Sequence, residues 1–136
     1  GEEVASGRLI EYGVNDLTER LASGSGQTDG MVVVPCSTKT LSSIACGGST
    51  NLIERSADVT LKEERPLVLV PRETPLNLIQ LGNLSAAAEA GASILPAMPA
   101  FYQKPATFDD LADFIAGRIL NLLRIEHKLF TPWRSE

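Results

Sequence analysis

The hydrophobic period switches several times along the chain, and each switch predicts an element. Residues 8–22 (RLIEYGVNDLTERLA) place apolar side chains at helical spacing, with Asn15 or Asp16 able to cap a helix through Leu17 and Leu21. A polar loop, SGSGQTDG (23–30), follows. MVVVP (31–35) is a short β-branched run bounded by turn residues, the pattern of a strand buried on both faces and central in its sheet. Ser37 or Thr38 then starts a helix over 37–46, GGSTN (47–51) interrupts it, and 51–63 form a second helical piece. PLVLVPRETP (66–75) repeats the first strand's design of an apolar run, a proline and then polar residues. A Leu- and Ala-rich helix over 76–90 ends at Gly91, a natural C-cap. Residues 92–106 hold a third short strand ending in Pro96 and a proline-rich loop. From Thr107 as N-cap, 108–127 form an amphipathic helix with Phe108, Leu111, Phe114, Ile115, Ile119, Leu122 and Leu123 on one side. Strand and helix in alternation imply an α/β fold: a parallel sheet with right-handed crossovers and helices on both faces.

Length and composition add bounds. A chain of 136 residues is one domain by the usual size prior and buries enough surface to need no metal or disulfide staple. The net charge of −5 argues against a nucleic-acid binder, which would carry a basic stripe, but leaves room for a local anion pocket. Cys36 and Cys46 form no C-x-x-C pair, and the single His127 adds no metal spacing, so no metal site is expected. Both thiols fit burial in a reducing compartment. With no long apolar run for a membrane span and no signal-peptide pattern at the start, a cytoplasmic protein is expected.

In parallel sheets ligands bind at the carboxyl ends of the strands. Here PCSTKT follows the first strand and PRETP the second. Ser37, Thr38 and Thr40 offer hydroxyls beside a helix N-terminus with unpaired N–H groups, while Lys39 and Arg72 add full charges. Together they suit a phosphate or another anionic ligand. The glycines of a nucleotide-binding P-loop are missing. Plainer roles stay open for each residue alone. Ser37 and Thr38 can be caps, Arg72 and Glu73 a surface ion pair, Glu89 a solvated helix residue, Tyr102 a packing group, and Arg118 a snorkelling surface charge.

The combination of phrases is more specific. VVPCSTKTLSSIACGGSTNLIERSADVTLKEERPLVLVPRETPLNL, followed by AGASILPAMPAFYQKP (90–105), resembles the signature of the UbiX-type flavin prenyltransferases, within the superfamily of FMN-dependent cysteine decarboxylases. The likeness runs over about residues 19–133. It implies a Rossmann-like, flavodoxin-like three-layer sandwich. It also implies an enzyme that joins a dimethylallyl group from dimethylallyl monophosphate to N5 and C6 of reduced FMN without a metal. The prenylated FMN would serve a UbiD-type decarboxylase. By the resemblance, Ser37, Thr38, Lys39, Thr40 and Arg72 hold FMN. Tyr102 and Arg118 grip the donor phosphate, Glu89 is the acid/base beside it, and SGSG (23–26) is a flexible segment near the site. The family also forms trimer-based dodecamers with the pocket where subunits meet.

The family's opening strand and glycine-rich GASG turn have no counterpart here. VASG (4–7) follows no apolar strand and is not that turn, and Arg134 after Trp133 is left out of the site. Residues 1–136 are therefore expected to be a single flavoprotein domain lacking its first βαβ unit, and to bind FMN weakly alone. Two rivals remain. A cysteine decarboxylase of the same superfamily would carry Asn where Lys39 stands, and a non-catalytic flavin carrier would need no second phosphate grip.

Overall fold

The computed structural model describes residues 9–130. VASG (4–7), Trp133 and Arg134 lie outside them. Three parallel strands, β1 (Met31–Cys36), β2 (Leu67–Pro71) and β3 (Ser93–Ile94), pair in the order β1-β2-β3. Met31 is opposite Leu67 and Val33 opposite Leu69, while Val68 meets Ser93. Four helices join them: α1 (Thr38–Ala45), α2 (Leu52–Lys62), α3 (Leu78–Glu89) and α4 (Phe108–Leu122).

β2 shows how the layers form. Its side chains alternate between faces, as strand geometry requires. Leu67 and Leu69 pack with Val33, Leu41 and Ile44 of α1, Ala57 of α2 and Ala87 of α3. Val68 and Val70 point the other way, onto Ile119, Ile115 and Leu123. With a helical layer on each side, all five residues of β2 are buried. This is the expected α/β sandwich with helices on both faces.

β1 departs from expectation. It lies at an edge of the described sheet rather than at its centre, and Val34 is 55% exposed. Its register with β2 breaks between Val33 and Cys36, where Pro35 has no N–H to give the ladder.

The helix read over 8–22 is also absent from the described residues. Only Arg20–Ala22 make a single 3-10 turn. Upstream, Asp16 turns the chain instead of capping a helix, since its Oδ1 accepts from both the amide and the hydroxyl of Thr18. The last helix ends at Leu122, five residues early. The amide of Ile125 donates to the Leu120 carbonyl and that of Arg124 to Asn121, with Arg124 in the left-handed region. That is a Schellman ending built without glycine, so the sequence carries no stop signal. Phe108, placed on the apolar side, is the first residue of α4 and is 89% exposed. The helix of 76–90, by contrast, ends as read: Gly91 has φ +112° and Ala92 donates to Ala87.

Candidate functional site at the carboxyl ends of the strands

β1 and β2 deliver PCSTKT and PRETP to the same end of the sheet. Ser37 is the N-cap of α1: its Oγ accepts from the Thr40 amide at 3.1 Å and donates to Thr40 Oγ1 at 3.0 Å. The Ser37 hydroxyl is thereby committed to the helix, as the plainer reading allows. Ser37 and Lys39 are exposed, and Thr38 and Thr40 half-buried, so the head of α1 presents hydroxyls, amides and an ammonium to solvent. The thiol just before them is sealed: Cys36 is 2% exposed, and burial pushes its pKa up to about 11. Cys46, also expected to be buried, is exposed at the far end of α1.

Beyond β2, Arg72, Glu73 and Thr74 line a cavity of about 410 Å³ floored by Pro71, Leu84, Pro96, Ala97 and Met98. The Ala97 amide donates to the Pro71 carbonyl, which carries the β2–β3 pairing out to the rim of this cavity. Arg72 and Glu73 form no ion pair with each other; among the described residues the ion pairs are Arg55–Asp58 and Lys62–Glu63. Arg72 and Glu73 thus line one cavity without pairing with each other, and the Glu73 carboxylate accepts the Thr74 amide at 3.1 Å. Sequence reasoning misses Glu73 because a charge next to an arginine reads as its partner. Its position one residue after Arg72 at a strand end was the signal available.

The remaining sequence-predicted residues lie elsewhere. Glu89 closes α3 four residues before β3 begins, at the amino end of the sheet, where it is exposed and accepts a long 3.5 Å contact from Ser85. SGSG (23–26) sits at that end too, held by arginine. Arg65 donates to the carbonyls of Gly26 at 2.6 Å and Gly24 at 3.1 Å, while Arg55 Nε donates to Ala22 at 3.0 Å. A position without a side chain is needed at Gly26, since a Cβ there would run into the Arg20 carbonyl. Tyr102 stands in a 3-10 turn with its ring edge-on to Phe114, 6.5 Å between centroids. Arg118 is one turn beyond Phe114 on α4, so Tyr102 and Arg118 share one stretch of helix surface. A single chain therefore carries three separate groups: the strand-end cluster, the amino-end pair of Glu89 and SGSG, and the Tyr102–Arg118 surface.

A second cavity, of about 370 Å³, lies between α2 and the segment before β1, and none of the predicted cofactor, donor or acid/base residues lines it. Among the described residues, no cluster of three or more His, Cys, Asp or Glu is placed to hold a metal. No helix there is long and apolar enough to cross a membrane.

The strand-end cluster suits a phosphorylated, partly apolar ligand. Exposed amides and hydroxyls head α1, a cation stands at Arg72, and the adjoining cavity is apolar-floored and of ligand size. Comparison with known proteins points to flavin as that class of ligand. A family profile described as Flavoprotein matches residues 12–120. The chain is 55% identical over 130 residues to the flavin prenyltransferase UbiX of Halalkalibacterium halodurans, covering 96% of this chain and 63% of that protein. It is 50% identical to the UbiX of Pseudomonas aeruginosa, over 97% of this chain and 63% of that one. The chain thus spans a little under two thirds of the length of these relatives. Among solved structures, AnUbiX (PadA1) in complex with FMN and dimethylallyl pyrophosphate superposes with a TM-score of 0.89 at 47% identity, covering 92% of this chain and 66% of that one. A dodecameric FMN-dependent UbiX-like decarboxylase from Escherichia coli O157:H7 gives 0.91 at 42% identity, covering 99% and 73%. The chain belongs to the flavoprotein family, in its UbiX-type branch.

Proposed function

We propose that this chain serves a cytoplasmic flavin prenyltransferase as a single flavoprotein domain, moving a dimethylallyl group from dimethylallyl monophosphate onto N5 and C6 of reduced FMN. The observation that carries this reading is the convergence of the α1 head and the Arg72–Glu73 cavity at one end of the sheet. Thr38, Lys39, Thr40 and the first amides of α1 hold the flavin with Arg72, while Ser37 keeps that helix start in shape. FMN, when bound, supplies the ring atoms that accept the prenyl group.

The protein's own part is to bind the donor, exclude water and offset charge on the departing phosphate. Arg118 and the Tyr102 hydroxyl suit that phosphate. Because they sit on the outer surface of α4, they approach the flavin of a neighbouring copy. Glu89, at the far end of the sheet, would also have to act across such a boundary. Glu73, already in the cavity with Arg72, is the carboxyl we assign to proton transfer. Assembly into a trimer-based dodecamer fits the bare apolar surface of α3, where Leu78 and Ile79 are 83% and 75% exposed. A UbiD-type decarboxylase would receive the product.

The test mixes the complete gene product with reduced FMN and dimethylallyl monophosphate, without metal, and weighs the extracted flavin. A gain of one five-carbon unit is expected. Unmodified but tightly bound flavin would favour a carrier, and carbon dioxide release from a cysteine-terminated substrate a cysteine decarboxylase.

A further inference from the structure

The cavity of about 370 Å³ between α2 and the segment before β1 takes no part in the flavin reading. Leu52, Ile53, Ser56, Val59 and Thr60 recur at helical spacing, so one face of α2 lines it. The segment before β1 is tied to that helix by two hydrogen bonds. The Leu52 amide donates to the Val14 carbonyl at 2.7 Å, and Arg55 Nε to that of Ala22 at 3.0 Å. Gly30 and Met31 place the cavity at the amino end of β1, away from the strand-end cluster.

Two polar groups in this largely apolar lining call for a ligand. Ser56 is 8% exposed, and its hydroxyl has no hydrogen-bond partner among the described residues. It does not turn back to the helix carbonyl one turn before, the usual recourse of a helical serine. A buried hydroxyl left in this way costs stability until something meets it. The Thr60 hydroxyl, by contrast, is committed to the Ser56 carbonyl at 2.7 Å. Arg65 is the second group. Its Nη atoms donate to the Gly26 and Gly24 carbonyls, but it forms no ion pair among the described residues. No acidic side chain among them lines the cavity either.

We propose that this cavity binds a small monocarboxylate with an apolar tail. The carboxylate accepts from the Ser56 hydroxyl in the field of Arg65, and the tail lies along Ile53, Val59 and Met31. An alcohol would also meet Ser56 but would leave the Arg65 charge unopposed. The inference does not depend on the flavin reading.

The test uses the complete gene product with octanoate as the probe, its affinity measured by equilibrium dialysis and its place by methyl NMR. Saturable binding at about 1 mM or tighter is expected, with the Ile53, Val59 and Met31 methyl signals shifting together. No saturable binding, or shifts elsewhere, overturns the proposal. Ser56→Ala should weaken octanoate about tenfold while melting no lower than the parent, because the lost hydroxyl had no partner in the protein. Unchanged affinity overturns the proposal, and so does a clear fall in melting temperature. Ile53→Trp, at the cavity rim, should abolish binding by filling it, and it decides the question if the alanine variant does not fold. 1-Octanol at equal concentration should displace little bound octanoate. Displacement as complete as by unlabelled octanoate would leave a cleft blind to charge and overturn the assignment of a carboxylate. Saturating FMN should leave octanoate binding unchanged, whereas competition would place octanoate in the strand-end site and overturn the proposal. Failure of FMN itself to bind would count against the flavin reading alone.

Discussion

MVVVP and LVLVP are almost the same text, yet the protein treats them differently. β2 is buried along its whole length, whereas β1 is open at Val34 and loses register at Pro35. The difference is neighbourhood. β2 has a strand on each side and a helical layer on each face, and β1 has a strand partner on one side in the described sheet. An apolar run reports that a strand can be buried and is silent on how many neighbours it acquires. What the two strands share is their exit. Each ends by releasing polar, charged residues at one rim of the sheet, and there the candidate site forms.

The largest effect should come from the centre. Leu69, fully buried on β2, replaced by Ala should cost about 3 kcal/mol of unfolding free energy in urea titration, while Val34→Ala on β1 should change it by less than about 0.5 kcal/mol. Equal losses would mean that β1 is as enclosed as β2.

The next contrast sets the two ends of the sheet against each other in the complete gene product. Glu73→Gln should lower prenyl transfer about a hundredfold, within the range for a lost general acid, with its melting temperature preserved. Glu89→Gln at the opposite end should retain most of the rate. The reverse ranking would hand the proton transfer to Glu89, acting between subunits.

A smaller effect separates the two thiols. Cys46 should react with iodoacetamide at pH 8 while Cys36 stays unmodified in the folded protein, being buried with its pKa pushed up to about 11.

The smallest concerns the start of α4. There Asp110 accepts from the amides of Ala106 and Thr107, which holds its pKa below the ordinary carboxylate value. A folded-state pKa below the unfolded one adds stability above the unfolded value, and that stability is lost as pH falls through the folded value. The melting temperature of the parent should therefore drop more steeply on acidification than that of Asp110→Asn. Parallel curves would remove Asp110 from the acid response.

Several features were legible because they depend on neighbours in sequence. Ser37, Asn51, Asn77 and Thr107 each accept from an amide three residues on, and Gly91 takes the positive φ that its helix ending needs. Capping is local chemistry, so residue type and spacing suffice. The strand-end motifs were legible for a related reason: once strands and helices alternate, topology sends the residues after each strand to one rim.

Other features could not be read that way. The segment 9–19 has helical spacing, but Asp16 turns it, and the Val14 carbonyl instead accepts the Leu52 amide at the start of α2. SGSG looked mobile and is held by Arg65, about forty positions away. Glu54 is buried at the start of α2, where the Thr50 amide and hydroxyl both donate to its carboxylate. Glu89 and Arg72 read as members of one site, and the sheet sets them at opposite ends.

By itself, then, the sequence determined the order of elements, most helix starts, the α/β layering and the rim where polar chemistry gathers. Each of these follows from period, capping and chain direction within short windows. Only the tertiary structure decided which strand is central, which glycine loop is clamped, which carboxylate is sealed and which charges share a cavity. Those outcomes depend on contacts between residues far apart in the chain, where burial and desolvation rather than spacing set the energy.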